Sequence, residues 1–363
     1  MWLDILIILI KVVFLLTGVL TLTSLLTWME RKQSAVMQDR LGANRASILG
    51  IRAFGLVHIF ADALKMFFKE DYVPPRGDKL LHTAAPLCAL FFALMGFAAI
   101  PFGDTIRVAQ RTISLQVFPF NAGLLFVFAM MSMGIYGTFL AGFSSNNKYA
   151  FLGGLRASSQ MISYEITMGA TLVGLLMIFG TLDLAELNRA QGALLWGWLP
   201  KWGIFLQPLG FLLFLVAGFA ETKRVPFDLP EGESEIIGYF TEYSSMKFGA
   251  FFMTDFVETV LVAALLTTLF FGGWQIPYLQ PDGFHFPWGA FAAVSSLAVT
   301  LLQIAAFAVK VFFFCWFLLL IRWTLPRFRY DQLMHLGWKI LLPLSILNIF
   351  ATGLFIAVLR RGS

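Results

Sequence analysis

Glu165, Asp255, Glu258 and Lys310 stand inside long apolar runs of this 363-residue chain. A charged side chain at the centre of a bilayer costs about 2.5 to 3.5 kcal/mol on insertion scales, so residues kept there commonly mark ion or proton paths. Asp255 and Glu258 are three apart and so share one helix face. For each of the four, a place near a span end, solvated by water, is the competing explanation. A second concentration of charge lies in 220–247, AETKRVPFDLPEGESEIIGYFTEYSSMK, with Glu221, Asp228, Glu231, Glu233, Glu235 and Glu242. Pro226, Pro230 and Gly232 favour a fixed irregular loop before the next helix. Glu231, Glu233 and Glu235 repel one another at this spacing; if desolvated, some would have raised pKa values and could load and release protons near neutral pH. On charge alone a solvated acidic loop is the favoured explanation. A calcium loop fits less well, because the Asp/Asn spacing and closing Glu of an EF-hand are missing.

Redox chemistry finds little support in this chain alone. Cys88 and Cys315 are far apart and both lie in apolar runs, which argues against an iron–sulfur or zinc set. His58, His82, His285 and His335 have no ligand-pair spacing, so any electron carrier is expected in a partner. The formal charge of +5 is parcelled out between apolar runs rather than interleaved in one patch, so nucleic acid is not an expected partner. Arg31, Lys32, Arg40, Arg45, Arg322, Arg327 and Arg329 can each simply anchor a helix end in the headgroup layer.

The elements that must position these residues are transmembrane helices. The chain is 59% hydrophobic and 13% charged, with a mean hydropathy of +0.79, against roughly 25% charged residues in an average soluble domain. An all-α integral membrane protein in one membrane domain, 1–363, follows. The N-terminus begins acidic and shows no small-residue cleavage site, so the first helix is expected to be retained. About 20 helical residues cross a hydrocarbon layer of ~30 Å. Eight runs qualify, near 5–29, 80–101, 120–142, 159–180, 202–220, 248–271, 288–321 and 337–359. The seventh is too long for one upright span and reads as one tilted or extended helix. Residues 51–69 carry His58, Asp62, Lys65 and Lys69 at spacings of four, three and four, one narrow polar stripe. They predict an amphipathic helix in the interface plane or against other helices, not a further span. Lys and Arg number 18 in the connections 30–79, 143–158, 221–247 and 322–339, against 6 on the opposite side. Short cytoplasmic loops hold the excess, which puts those four connections in the cytoplasm and both termini in the periplasm or its equivalent.

Several strings together resemble one family, the quinone-site membrane subunit of respiratory complex I, the type I NADH-quinone oxidoreductase. They are MERKQ at 29–33, GANR at 42–45, ADALKMFFKED at 61–71, SSNNKYAFLGGLRASSQMISYE at 144–165, ETKRVPFDLPEGESE at 221–235, TEYSSMKF at 241–248 and PRFRYDQLMHLGWK at 326–339. They follow the family order across nearly the whole chain. The resemblance implies a multi-pass subunit of the bacterial cytoplasmic (inner) membrane that binds no cofactor of its own and takes quinone, such as ubiquinone, as substrate. Its implied partners are the hydrophilic-arm quinone-site and iron–sulfur subunits, with flavin and iron–sulfur clusters in those partners, the small membrane subunits leading to antiporter-like subunits, and membrane lipid. By motif, Glu165, Glu221 and Asp255 resemble the family's buried acidic chain, and Glu231, Glu233, Glu235 and Glu242 belong with its loop carboxylates on the proton path. Arg31, Arg40 and Asp62 resemble positions around the quinone entrance, and Arg322 and Arg327 resemble basic residues facing chamber and loop.

Three departures stand out. Ala43 occupies a position that is usually Pro, the segment between Arg45 and Asp62 is longer than in many members, and His58 stands where Gln is common. Some members also carry an acid near Ser132, which the string MMSMGIYG lacks. Two other classes fit the same residues: the homologous membrane subunit of a membrane-bound hydrogenase or other donor dehydrogenase, and a stand-alone cation/proton transporter. The Glu-rich loop and the EYSS string favour the quinone enzyme. A transporter should show inverted repeats or broken helices near the midplane, and the sequence has no convincing duplication.

Overall fold

The computed structural model describes residues 2–108, 111–230, 232, 236 and 238–362, with backbone only for 107–108 and 359–362. Glu231, Glu233 and Glu235 therefore lie outside the described residues. In chain order the helices are α1 (Trp2–Met37), α2 (Val57–Phe68), α3 (Lys79–Met95), α4 (Gly123–Ser144), α5 (Lys148–Phe179), α6 (Leu184–Gln191), α7 (Gly203–Leu206), α8 (Pro208–Glu221), α9 (Ser245–Phe270), α10 (Ser296–Thr324), α11 (Tyr330–His335) and α12 (Leu342–Gly362). A π-helical turn, Leu336–Leu341, joins the last two into one continuous rod. Among the described residues seven helices are long and apolar enough to cross a membrane. In hydrocarbon every backbone polar group needs an internal partner, which is why these runs are helical throughout.

Of the eight expected runs, the first and fourth are longer as helices, reaching Met37 and starting at Lys148, and two others contain a break or a non-helical segment. The fifth is interrupted at Gln207, so the apolar part is the 14-residue α8, about 21 Å long. Gln207 Nε2 donates to Thr352 Oγ1 at 2.6 Å and Gln207 Oε1 accepts from Asn348 Nδ2 at 2.8 Å, so the break is pinned to α12 by a buried polar network. The seventh run becomes helical only at Ser296, where the side chain of Ser295 caps Ala298 N. Residues 288–295 instead feed a short antiparallel sheet, β5 (Leu279–Gln280), β6 (Gly283–His285) and β7 (Phe291–Ala293), with Phe284 opposite both Leu279 and Ala292. Two further hairpins, β1 with β2 and β3 with β4, pair Thr105–Val108 with Arg111–Ser114 and Leu194–Leu195 with Leu199–Pro200. All of these hairpins fall in connections on the side opposite the Arg/Lys-rich loops. The stripe at 51–69 is helical as α2, which packs on α1 and α9.

α9 is the central pillar, buried on all sides from Phe256 to Phe270. α3 and α8 pack against it on one flank, with α4 and α5 behind them, and α1 and α10 pack on the other, while α1 buries few of its own residues. α5, at 32 residues, is roughly 48 Å long and projects beyond a ~30 Å hydrocarbon layer. Its start is set by Asn147, whose side chain accepts from Tyr149 N, and its end by Gly180 in the left-handed conformation at φ 71°. The start of α9 is tied to the end of α2: Ser245 Oγ donates to Met66 O at 3.0 Å and Ser244 Oγ to Glu70 O at 2.8 Å.

Candidate functional site

The loop after α8 folds back against α5. Gln160, buried on α5, donates from one Nε2 to Ala220 O at 2.7 Å and to Phe227 O at 2.8 Å. The segment after α10 then lies over it, with Phe328 N donating to Pro226 O at 3.0 Å and the Phe227 and Phe328 rings stacked at 5.4 Å. Both contacts hold the two Arg-bearing segments across one cavity of about 580 Å³, walled by Arg224, Asp228, Phe248, Phe252, Asp255, Arg322 and Arg327 among others. Its wall combines aromatic rings with five charged side chains, a make-up that suits a small molecule with a polar head.

Charge in this cavity is organised in pairs. Asp228 Oδ2 accepts from Arg327 Nη2 at 2.8 Å. Glu30 on α1 accepts from Arg224 Nη1 at 3.2 Å through one carboxylate oxygen and from Arg322 Nη1 through the other. The Arg224 guanidinium also lies over the Phe256 ring, 3.8 Å from its centre, a cation–π contact of the kind that strengthens with desolvation. Burial pushes the Asp228 carboxyl up to about 6, against the pull of Arg327 and Arg322.

A second charged group lies deeper. Lys223 is 1% exposed, and its ammonium meets Asp255 Oδ1 at 3.3 Å and Glu258 Oε2 at 3.2 Å. Burial by itself would lower its pKa, but the charges of Glu258, Tyr239 and Asp255 outweigh that and hold it well above the usual lysine value. Asp255 thus belongs both to the cavity wall and to the Lys223 ion contact. Beyond it, Glu258 and Glu221 border a small cavity of about 10 Å³ with Gly134 and Met161, near the size at which one water fits, roughly 10 to 15 Å³. Glu221 is 1% exposed, and neither carboxylate oxygen meets a hydrogen-bond donor among the described residues. Glu165 is within electrostatic reach of Glu221, and its carboxylate accepts from the hydroxyl of Ser132.

The structure thus brings Glu165, Glu221 and Asp255 together with Lys223 and Glu258, and sets Arg322 and Arg327 at the cavity they adjoin. It separates the others. Arg31 and Asp62 pair with each other at 2.5 Å between α1 and α2, both part-exposed. Arg40 donates to Ser34 Oγ at 3.2 Å and Gln38 Oε1 at 2.6 Å just past the end of α1. Glu242 accepts from Asn147 Nδ2 at 2.8 Å, beside His82, which stacks on Tyr243 at 3.9 Å. The Lys310 ammonium donates to Phe271 O, Gly273 O and Gln275 O at 2.8, 3.0 and 2.7 Å, capping the carbonyl-rich end of α9. Sequence reasoning missed Glu30, Lys223 and Arg224 as site residues. Glu30 stands inside MERKQ and the two cations inside ETKRVPFD, so a signal exists, but along the chain these cations count only towards topology. Among the described residues no three His, Cys, Asp or Glu are arranged to hold a metal ion.

Fold and site define a multi-pass helical membrane protein with a charged interior leading from a loop-roofed cavity into the bundle. The model of the NADH dehydrogenase family matches residues 10–353, and the chain belongs to that family. Among its relatives, the NADH-quinone oxidoreductase H subunit of Flavobacterium psychrophilum is 43% identical over 352 residues, 96% of either chain. The second such H subunit of Geobacter sulfurreducens is 43% identical over 344 residues, 94% of either chain. The one from Thermomicrobium roseum is 43% identical over 344 residues, 94% of this chain and 93% of its own.

Proposed function

We propose that this chain is the membrane subunit through which a proton-pumping NADH:quinone oxidoreductase receives quinone, and that it carries the first acidic links of the proton path. The observation that carries this reading is Asp255, which walls the cavity and also holds the buried Lys223 shared with Glu258. Quinone reduction consumes two electrons and two protons. Electrons would arrive from an iron–sulfur cluster of a hydrophilic-arm partner, with flavin further upstream, and this chain supplies charge and protons. Asp228, with its pKa near 6, is suited to give a proton to a reduced quinone oxygen while Arg327 stabilises the carboxylate left behind. A change of charge in the cavity alters the field at Asp255 and hence the Lys223–Glu258 contact, and Glu258, Glu221 and Glu165 pass the change towards the small membrane subunits. The Arg31–Asp62 pair between α1 and α2 fits the entrance for a lipid-borne quinone, with Arg40 beyond it; Glu242 is assigned to the path on its cytoplasmic side, and the loop glutamates at 231, 233 and 235 are assigned to it from the sequence alone. The membrane is then the bacterial inner membrane, with both termini periplasmic.

Glu165→Gln and Glu221→Gln test the reading in the assembled complex. Each is expected to assemble and to lose quinone reduction and pumping together, by roughly 10²-fold, the scale of a removed proton-transfer group. Normal coupled turnover in both purified variants overturns it.

A further inference from the structure

On the flank away from the charged interior, α1 and α10 enclose an apolar groove of about 670 Å³, floored by Phe97, Ile100 and Val260 and walled by Phe14, Phe307 and Val311 among others. Its lining on α1 runs from Phe14 to Leu25, roughly 17 Å of helix, about the depth of one leaflet of a ~30 Å hydrocarbon layer. Gly18 faces this space, and a Cβ added there would meet nothing within 4 Å. A glycine inside a helix costs about 1 kcal/mol relative to alanine, and here its missing side chain widens the groove.

One end of the groove carries a cation. Lys11 precedes Phe14 and Leu15 by three and four residues, so it lies on the same face of α1 one turn away. Its ammonium donates to Gln116 O at 2.9 Å, and the Gln116 side chain donates to Ala99 O at 2.7 Å, within the segment that floors the groove. One hydrogen bond uses one of three ammonium protons, and among the described residues the other two meet no acceptor. An apolar slot one leaflet deep with a cation at its outer end has the shape and charge of an amphiphile with one tail and an anionic head. We propose that the groove between α1 and α10 binds one acyl chain of an anionic phospholipid from the hairpin-side leaflet, with the headgroup held on Lys11. A helix of a neighbouring subunit, about 10 to 12 Å across with its side chains, would lie on the groove rather than in it. The tail of a quinone would fill the slot, but its uncharged head has no use for Lys11.

The test uses the assembled complex, stripped in detergent and then titrated with phosphatidylglycerol or phosphatidylcholine, with retained lipid counted by native mass spectrometry. Wild type is expected to hold one more phosphatidylglycerol than either Lys11→Met or Gly18→Leu, Lys11→Arg to keep it, and phosphatidylcholine to show no such difference. Quinone reduction in Lys11→Met and Gly18→Leu should match wild type, which excludes misfolding as the cause of a lost lipid. Equal phosphatidylglycerol retention in wild type and both variants overturns the proposal. So does loss in Gly18→Leu with full retention in Lys11→Met, which would mark an uncharged occupant such as a quinone tail, or the same loss for phosphatidylcholine.

Discussion

At the residue scale, the cavity and the interior beneath it place carboxylates and cations in shared sets. Glu30 serves two arginines, Asp228 serves one, and Lys223 is shared by two acids. Removing one member of such a set leaves an uncompensated buried charge, which is more costly than never having placed the pair. Asp228 offers a measurement with a defined sign. Burial holds its carboxyl at about 6, above the ordinary value near 3.9, so the folded protein binds this proton more tightly than the unfolded chain does. Its contribution to stability is therefore greatest below about pH 4 and declines as pH rises through 6. In Asp228→Asn that slope is expected to disappear, with the stability difference from wild type changing by on the order of 3 kcal/mol between pH 4 and 8. Thermal inactivation of the purified complex across that range checks it. In the same variant the fall of quinone reduction as pH rises through about 6, where the wild-type proton donor becomes ionised, should flatten.

At the element scale, α9 is a nearly fully buried helix whose two ends are held by side chains. Ser244 and Ser245 tie its start to the end of α2, and Lys310 of α10 closes its end by donating to three carbonyls. Lys310 also lies over the Trp202 ring at 4.7 Å, so its stem and charge are both used in packing. An intramembrane lysine suggests transport, yet here its contacts are with backbone carbonyls and an aromatic face. Lys310→Met is expected to destabilise the bundle by roughly 2 to 4 kcal/mol, because buried carbonyls that lose their donor cost about 1 to 3 kcal/mol each and some will be rehydrated. The check is a shortened half-life of thermal inactivation with an unchanged pH profile of quinone reduction. A shifted profile would place Lys310 in the proton path instead.

At the scale of the whole molecule, one face gathers the charged loops and the other gathers the hairpins, the latter cross-linked by Arg189 to Asp104 at 2.8 Å and by Arg111 to Asp4 at 3.0 Å. The excess of Lys and Arg in the first set predicts that it is cytoplasmic. A single cysteine at Asp39, on a background without Cys88 and Cys315, should react with an impermeant maleimide only in inside-out vesicles. One at Asp282 in the β5–β6 turn should react only in right-side-out vesicles. The membrane class, most of the helix boundaries and the amphipathic α2 were legible in the sequence, because hydropathy and periodicity are properties of neighbouring residues. The break at Gln207 and the hairpin at 288–295 were not, because both segments are apolar enough for a span and only their contacts, Asn348 and Thr352 for one and the strand β6 for the other, select a different backbone. Glu165, Asp255 and Glu258 could be singled out from their apolar surroundings alone. That Glu30 joins Arg224 and Arg322, 194 and 292 residues away, and that Lys223 sits between two acids of α9, was decided only by the tertiary structure. An ion pair depends on the distance between helices in space, and no spacing along the chain encodes it.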